Sequence, residues 1–193
     1  MKLLAAALLR QAASVPTPAA GISALGALPA GPGLRGSDGG SQLLHQLAVG
    51  RVTSALTNST TTLADMTGLA LPVDAGGVYL FEFSGTYSTS STSCFIAAGV
   101  NGPSAAGTGL MCNFHLHIGV GANTWHNGCT AAFGDFNTPA FVQAANAPTP
   151  WRIYGSAEIG ATGGLLAPQF ARNSGAGTIT IQAGAWGWLW RIA

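Results

Sequence analysis

Between Val78 and Tyr87 the chain reads VYLFEFSGTY, with Tyr79, Phe81, Phe83 and Tyr87 at period two and Glu82, Ser84 and Thr86 between them. Successive side chains of a β-strand point to opposite faces, so this segment is a strand with one aromatic and one polar face. On a helix the same rings would spiral around the axis and share no side. Four rings on one face require a core, and a sheet that is apolar on one face must bury it against a second layer. A Pro/Gly turn (LPVDAGG) precedes the strand and a Ser/Thr-rich hairpin (STSSTS) follows it, which marks an antiparallel β architecture.

The same signals recur downstream. Strands are expected near residues 51–57, 78–87, 93–100, 110–118, 151–160, 165–172, 177–183 and 186–192. In the seventh, Ile179, Ile181 and Ala183 alternate with Thr178, Thr180 and Gln182; in the last, Trp186, Trp188, Trp190 and Ile192 share one face. Three indoles on one strand face have three uses: the sandwich interior, a subunit interface, or a sugar-binding platform. Pro168 interrupts its strand and implies an edge or a bulge there. The strand count suits two packed antiparallel sheets, so the expected fold is an all-β antiparallel β-sandwich, jelly-roll-like, over residues 51–193.

Residues 1–50 differ. Pro and Gly interrupt VPTPAAGISALGALPAGPGLRGSDGG every few residues, and such a segment builds no core of its own. It is expected to be an extended, partly helical N-terminal arm that orders along a partner. Helix is expected in the Ala/Leu run near the start and in QLLHQLAV, capped by Ser41 and stopped by Gly50. The apolar run Leu3 to Leu9 is short for a secretory leader and is closed by Arg10, so a docking helix is expected in place of a leader.

Composition excludes several functions. Charged residues make up 7% of the chain and the net charge is +1, against an ordinary charged fraction of about a quarter. So little charge leaves a monomer poorly protected from association, which points to burial against copies of itself or a larger assembly. The basic residues Lys2, Arg10, Arg35, Arg51, Arg152, Arg172 and Arg191 are scattered singly, so no nucleic-acid patch forms. No apolar run approaches the roughly 20 residues of a spanning helix, and no membrane partner is expected. Lys2 is the only lysine, which removes the Walker and Schiff-base lysines, and neither G-x-S-x-G nor H-E-x-x-H occurs. The acids Asp38, Asp65, Asp74, Glu82, Asp135 and Glu158 are far apart in sequence, so no glycosidase pair is indicated and no enzyme is expected.

Cys94, Cys112 and Cys129 lack paired spacing; free thiols are the default, with one bridge between neighbouring strands as the alternative. In the strand Met111 to Ile118, Phe114, Leu116 and Ile118 point one way and His115 and His117 the other, about 7 Å apart. An H-x-H pair ligates a metal when copies bring several together, and a trimer would supply six imidazoles; otherwise the two are polar residues of an outer face. Cys129, His126 and Asp135 are the residue types of a nucleophilic set, without readable geometry. Trp125, His126 and Asn127, read as part of a Gly-rich loop, are candidate contacts for a glycan.

The runs NSTTTLADMTGLALPVDAGGVYLFEFSGTY, AAGVNGPSAAG, WRIYGSAEIGATGGLLAPQFARNSG and GTITIQAGAWGWLWRIA resemble the β-rich module of tailed-bacteriophage virion structural proteins. Minor tail and tail-fibre proteins carry such modules at their C-terminal parts, and similar small proteins sit on phage heads. The likeness covers about Arg51 to Ala193 and rests on turns and small residues, with Asn101, Gly102 and Pro103 in one turn and Ala183 to Trp186 in another. It implies a non-enzymatic virion structural protein without a cofactor, at the particle surface, assembled in the host cytoplasm. In this expectation the arm anchors a head decoration or head-fibre protein to a major capsid or other virion protein, and the module forms a homotrimer. The alternative is a tail-fibre or minor tail protein that binds host surface carbohydrate. The segment Met111 to Pro150 is not explained by the resemblance, and no coiled-coil or repeat shaft is present.

Overall fold

The computed structural model describes residues 24–28, 31–35, 41–43, 47–103, 109–118, 124–137 and 145–193. The chain divides into two units, Met1–Gln46 and Leu47–Ala193. In the first, β1 (Ala24–Leu28), β2 (Gly31–Arg35) and β3 (Ser41–Leu43) form a three-stranded antiparallel sheet in the order β1-β2-β3. Gly26 lies within β1 and Gly31, Pro32 and Gly33 within β2, where the sequence leads to an extended, partly helical arm. Hairpin pairing between near neighbours needs only a few residues per strand. The helix expected over Leu3 to Leu9 lies outside the described residues.

The second unit contains β4 (Leu47–Arg51), β5 (Leu56–Asn58), β6 (Ala64–Asp65), β7 (Leu71–Val73), β8 (Val78–Thr89), β9 (Phe95–Asn101), β10 (Gly109–Ile118), β11 (Thr124–Thr130), β12 (Phe136–Asn137), β13 (Thr149–Glu158), β14 (Gly164–Ser174), β15 (Ile179–Ile181) and β16 (Trp186–Arg191). The helix expected from Ser41 to Gly50 does not form, since Ser41–Leu43 is β3 and Leu47–Arg51 is β4. So short a helix is marginal in water, whereas Leu47–Arg51 gains a full antiparallel ladder with β16. The expected strand at 51–57 is placed over a break, because β4 ends at Arg51 and β5 starts at Leu56.

Eight strands make a large sheet in the order β11-β10-β13-β8-β15-β5. β8 is long enough to hold two partners on one edge: β16 along Tyr79 to Ser84 and β15 along Tyr87 to Thr89. β4 extends β16 and β5 extends β15, so the outer columns both break at one level. Across that break the Val52 amide donates to the Ala185 carbonyl and the Gly184 amide to the Val52 carbonyl, both at 2.8 Å. Gly184 has φ +94°, which only glycine adopts without strain, and this sets the turn between β15 and β16. Five strands make a small sheet, β12-β9-β14-β6, with β7 beside β6 along the same edge of β14. Pro168 is therefore on an inner column, not an edge. Its missing donor falls at the gap where the partner of β14 changes from β7 to β6, and its carbonyl accepts from the Met66 amide at 2.8 Å. The bulge in β14 lies further on, between Arg172 and Ser174.

One core cluster draws on both sheets, with Phe81, Phe83, Phe114, Trp151, Ile153 and Leu189 from the large sheet and Ile96, Val100, Leu166 and Phe170 from the small one. Tyr79, Phe81, Phe83 and Tyr87 are all buried in it. Their bulk is accommodated by pairing large with small. Phe81 lies between Gly155 and Leu189 in the ladder, and Phe83 between Ile153 and Gly187. A Cβ on Gly187 would fall 2.2 Å from Phe83 Cδ1, and one on Gly155 would fall 1.9 Å from the Met111 carbonyl oxygen. The ring of Phe83 fills space that any larger neighbour would need. Phe83→Ala removes a fully buried ring and is expected to destabilise the chain by about 3–5 kcal/mol. Val49→Ala, at a position 71% exposed, is expected to change stability by under about 0.5 kcal/mol. Urea unfolding of the two variants checks both values.

Candidate functional site: the outer face of the large sheet

Because ladder partners point to the same side, the outer face of the large sheet is read directly from its register. One row runs His115, Arg152, Ser84, Trp186, Arg51; the next runs Asn113, Tyr154, Glu82, Trp188, Val49; the third runs Met111, Ser156, Leu80, Trp190, Leu47. The inner positions of β16 are Gly187 and Leu189, both buried. The sandwich interior, one of the three uses open for Trp186, Trp188 and Trp190, is thus overturned: the space opposite Phe83 admits only glycine, and this parity turns the indoles outward. Trp186 and Trp190 are 44% and 42% exposed, Leu47 and Val49 on the paired strand 65% and 71%, and Met111 at the other side of the face 64%. Ile192, beyond β16, is 38% exposed.

Polar groups in the middle of this face satisfy one another. Arg152 makes a two-pronged pair with Glu82, Nη2 to Oε2 and Nε to Oε1, both 2.8 Å, and its guanidinium stacks 4.7 Å from the Tyr154 ring centre. The hydrogen bond to Glu82 holds the Arg152 guanidinium above its already high ordinary pKa. The Tyr154 hydroxyl meets His115 Nε2 at 3.2 Å, and the two rings pack edge to face.

His115 and His117 lie on this outer face, on the opposite side of β10 from the buried Phe114 and Leu116. Among the described residues no group of three His, Cys, Asp or Glu side chains converges on a metal position. Trp125, His126 and Asn127 belong to the strand β11 and not to a loop. His126 and Asn127 point to opposite faces, so they make no joint surface. His126, in register with Leu116, bonds through Nε2 to Asn137 Oδ1 on β12, which links the large sheet to the small one. Gly128 leaves the room for this link, since a Cβ there would fall on the Asn137 amide. Cys129 faces outward beside Asn113 whereas His126 faces inward, so Cys129, His126 and Asp135 do not assemble as a nucleophilic set. Thr130 Oγ1 donates to Asp135 Oδ2 at 3.3 Å instead. All three cysteines are free, Cys94 and Cys112 being buried. Burial raises both thiol pKa values; Cys129 adds to the rise at Cys112, while Arg172 opposes it at Cys94.

The small sheet presents a different outer face. Asp65, Gln169, Gly99 and Phe136 form one row across it. The Asp65 carboxylate accepts from Gln169 Nε2 at 2.7 Å and from Asn101 Nδ2 at 3.2 Å. Beside this row Thr61, Leu63, Ala97, Phe136, Arg172 and Asn173 line a shallow cavity of about 160 Å³. No local pattern in the sequence reveals it, because Thr61 and Leu63 lie in the link between β5 and β6 and Phe136 sits on the two-residue strand β12.

Comparison with known proteins gives no family: no family model matches, and no curated protein matches. Among solved structures, Eiger TNF from S. frugiperda is similar over 77% of this chain and 93% of its own, at 13% identity and a TM-score of 0.40. Infectious bursal disease virus is similar in its Gt strain (TM-score 0.19, 12% identity, 93% of this chain) and its Gx strain (0.24, 11%, 88%). The chain spans 47% and 44% of those two viral chains. At such scores the likenesses are weak and carry no argument about activity.

Two outcomes test the local geometry. Gly128→Ala is expected to cost about 1–3 kcal/mol by driving Asn137 from its place, while Asn127→Ala, on the exposed face of the same strand, stays within about 0.5 kcal/mol. The raised Cys112 pKa also has a definite sign. Its stabilising effect is full below the ordinary thiol value of 9.0 and is lost as pH rises above it, because only the unfolded chain then releases the proton. Stability should fall by up to about 1.4 kcal/mol per pH unit above that value, and Cys112→Ala should flatten the slope in urea titrations at successive pH values.

Proposed function

We infer that the protein is a non-enzymatic structural component of a virion, a head decoration or head-fibre subunit whose residues 1–50 anchor to a capsid or other virion protein. Its sandwich, jelly-roll-like in the way successive strands cross between the sheets, projects from the particle as a homotrimer. The observation that carries this reading is the contrast between the two outer faces. One exposes Trp186, Trp190, Leu47 and Val49 together, with Met111 across a polar centre, and the other gathers polar groups around Asp65, with Phe136 and Leu165 exposed and a shallow cavity beside Phe136. An exposed apolar cluster that includes two tryptophans marks association, and it is costly for an isolated soluble monomer. The low charge of the whole chain supports the same conclusion. The resemblance of Arg51 to Ala193 to tailed-phage modules supplies the virion setting. The subunit works without a cofactor, and metal found at one per oligomer on His115 and His117 would overturn that clause.

The second reading, a tail protein that binds host carbohydrate, is favoured by one observation: the cavity beside the half-exposed Phe136. That cavity is a better candidate than the strand segment of His126 and Asn127, which point to opposite faces. Gold-labelled antibody on intact particles separates the two. Gold over the capsid shell or its vertices is expected. Gold at the distal tail would transfer the function to the second reading, and particles without label would overturn both.

A further inference from the structure

The geometry points to further copies of this same chain as the occupant of the outer face of the large sheet, and this rests on the structural-subunit reading above. Three features of the face select a copy over an unrelated partner. First, its central charges are already satisfied: Arg152 and Glu82 form a two-pronged pair, with the Tyr154 ring under the guanidinium, while Arg51 stands at the rim on the edge strand β4. A partner chosen by charge would need a countercharge that this face does not request, whereas an identical face brings an identical, internally neutral pair. Second, the remaining surface is apolar at both sides and polar in the middle, with Leu47, Val49, Trp186 and Trp190 on one side and Met111 on the other. Around a three-fold axis one side of a face patterned in this way meets the other side of the next copy, aromatic to aliphatic, without burying the rim charge of Arg51. Third, the size is right. Six columns at about 4.8 Å, with strands of about 25 Å, give roughly 600 Å² in projection, and side-chain relief raises the accessible area toward the about 800 Å² per partner of a stable interface.

The interface so formed has tryptophans near its apolar side, the residue type that dominates binding energy at interfaces. Its centre places His115 and Tyr154 beside the Arg152 pair. The small-sheet face, with Asp65, Gln169 and Asn101 hydrogen-bonded among themselves, stays in solvent.

The experiment uses the full chain in sedimentation velocity at roughly 10 μM, where a micromolar contact is mostly assembled. The native chain should sediment at an integral multiple of 19.3 kDa. The double variant Val49→Lys, Met111→Lys should sediment as one chain, with its near-ultraviolet circular dichroism retained. Both positions are more than 60% exposed, so the substitutions leave the core intact. Leu165→Lys, 54% exposed on the small sheet, should keep the native mass. A native chain that sediments as a monomer overturns the proposal, as does a double variant that keeps the native mass or a Leu165→Lys variant that dissociates equally. A chain that assembles through this face yet is absent from particles would overturn the virion reading alone.

Discussion

β8 must satisfy neighbours on both of its edges at once, and the rest of the module follows from how it does so. Its inner side carries Tyr79, Phe81, Phe83 and Tyr87, all buried, and these rings are too large to stand opposite other large residues. Gly155 and Gly187 in the adjoining strands yield the volume, while Ile153 and Leu189 fill what is left. Packing at crystal-like density leaves little tolerance for another arrangement, so the register of β13 and β16 on β8 is fixed by ring size. Once Gly187 is inward, Trp186, Trp188 and Trp190 have no choice but to face out.

The outward tryptophans therefore come from the same constraint that builds the core. A one-residue slip of β16 would bury the indoles and expose Leu189, but it would also set a Trp ring against Phe83, where a single methyl group does not fit. The apolar outer surface is thus fixed as firmly as the core, which is the condition for a reproducible contact. The polar small-sheet face, where Asp65 gathers Gln169 and Asn101, obeys no such requirement and is free to vary.

The long strands were legible because their periodicity is a local property: β8, β9, β10, β13, β14 and β16 fall where alternation and turn residues place them. Short elements were not. β6 and β12 are two-residue ladders and β7 spans three residues, too brief for a period, and they exist only because β14 and β9 offer edges. β4 was read as helix since LLHQLAV carries helix formers, and only the distant β16 makes it strand. The outer face itself was half legible. The sequence gathers Trp186, Trp188 and Trp190 on one side but does not say which side, because that depends on Phe83 standing opposite Gly187 in another segment. His126 looked like a binding residue for the same reason: its partner Asn137 is on a strand that no local signal reveals. The three-stranded sheet at Ala24–Leu28, Gly31–Arg35 and Ser41–Leu43 is not legible locally, because Pro and Gly are strand breakers by themselves and only the pairing of neighbouring segments carries them.

The module begins and ends at one pole. Leu47, its first residue, stands in the ladder against Trp190, which in turn stands against Leu80. The last residue, Ala193, accepts the Val78 amide at 2.9 Å. Whatever is joined to either terminus of the sandwich is therefore tethered at the start of β8, and the link from Thr89 to Phe95 lies at the far pole. Insertions in that link lengthen or recolour the surface there without disturbing the strands beneath.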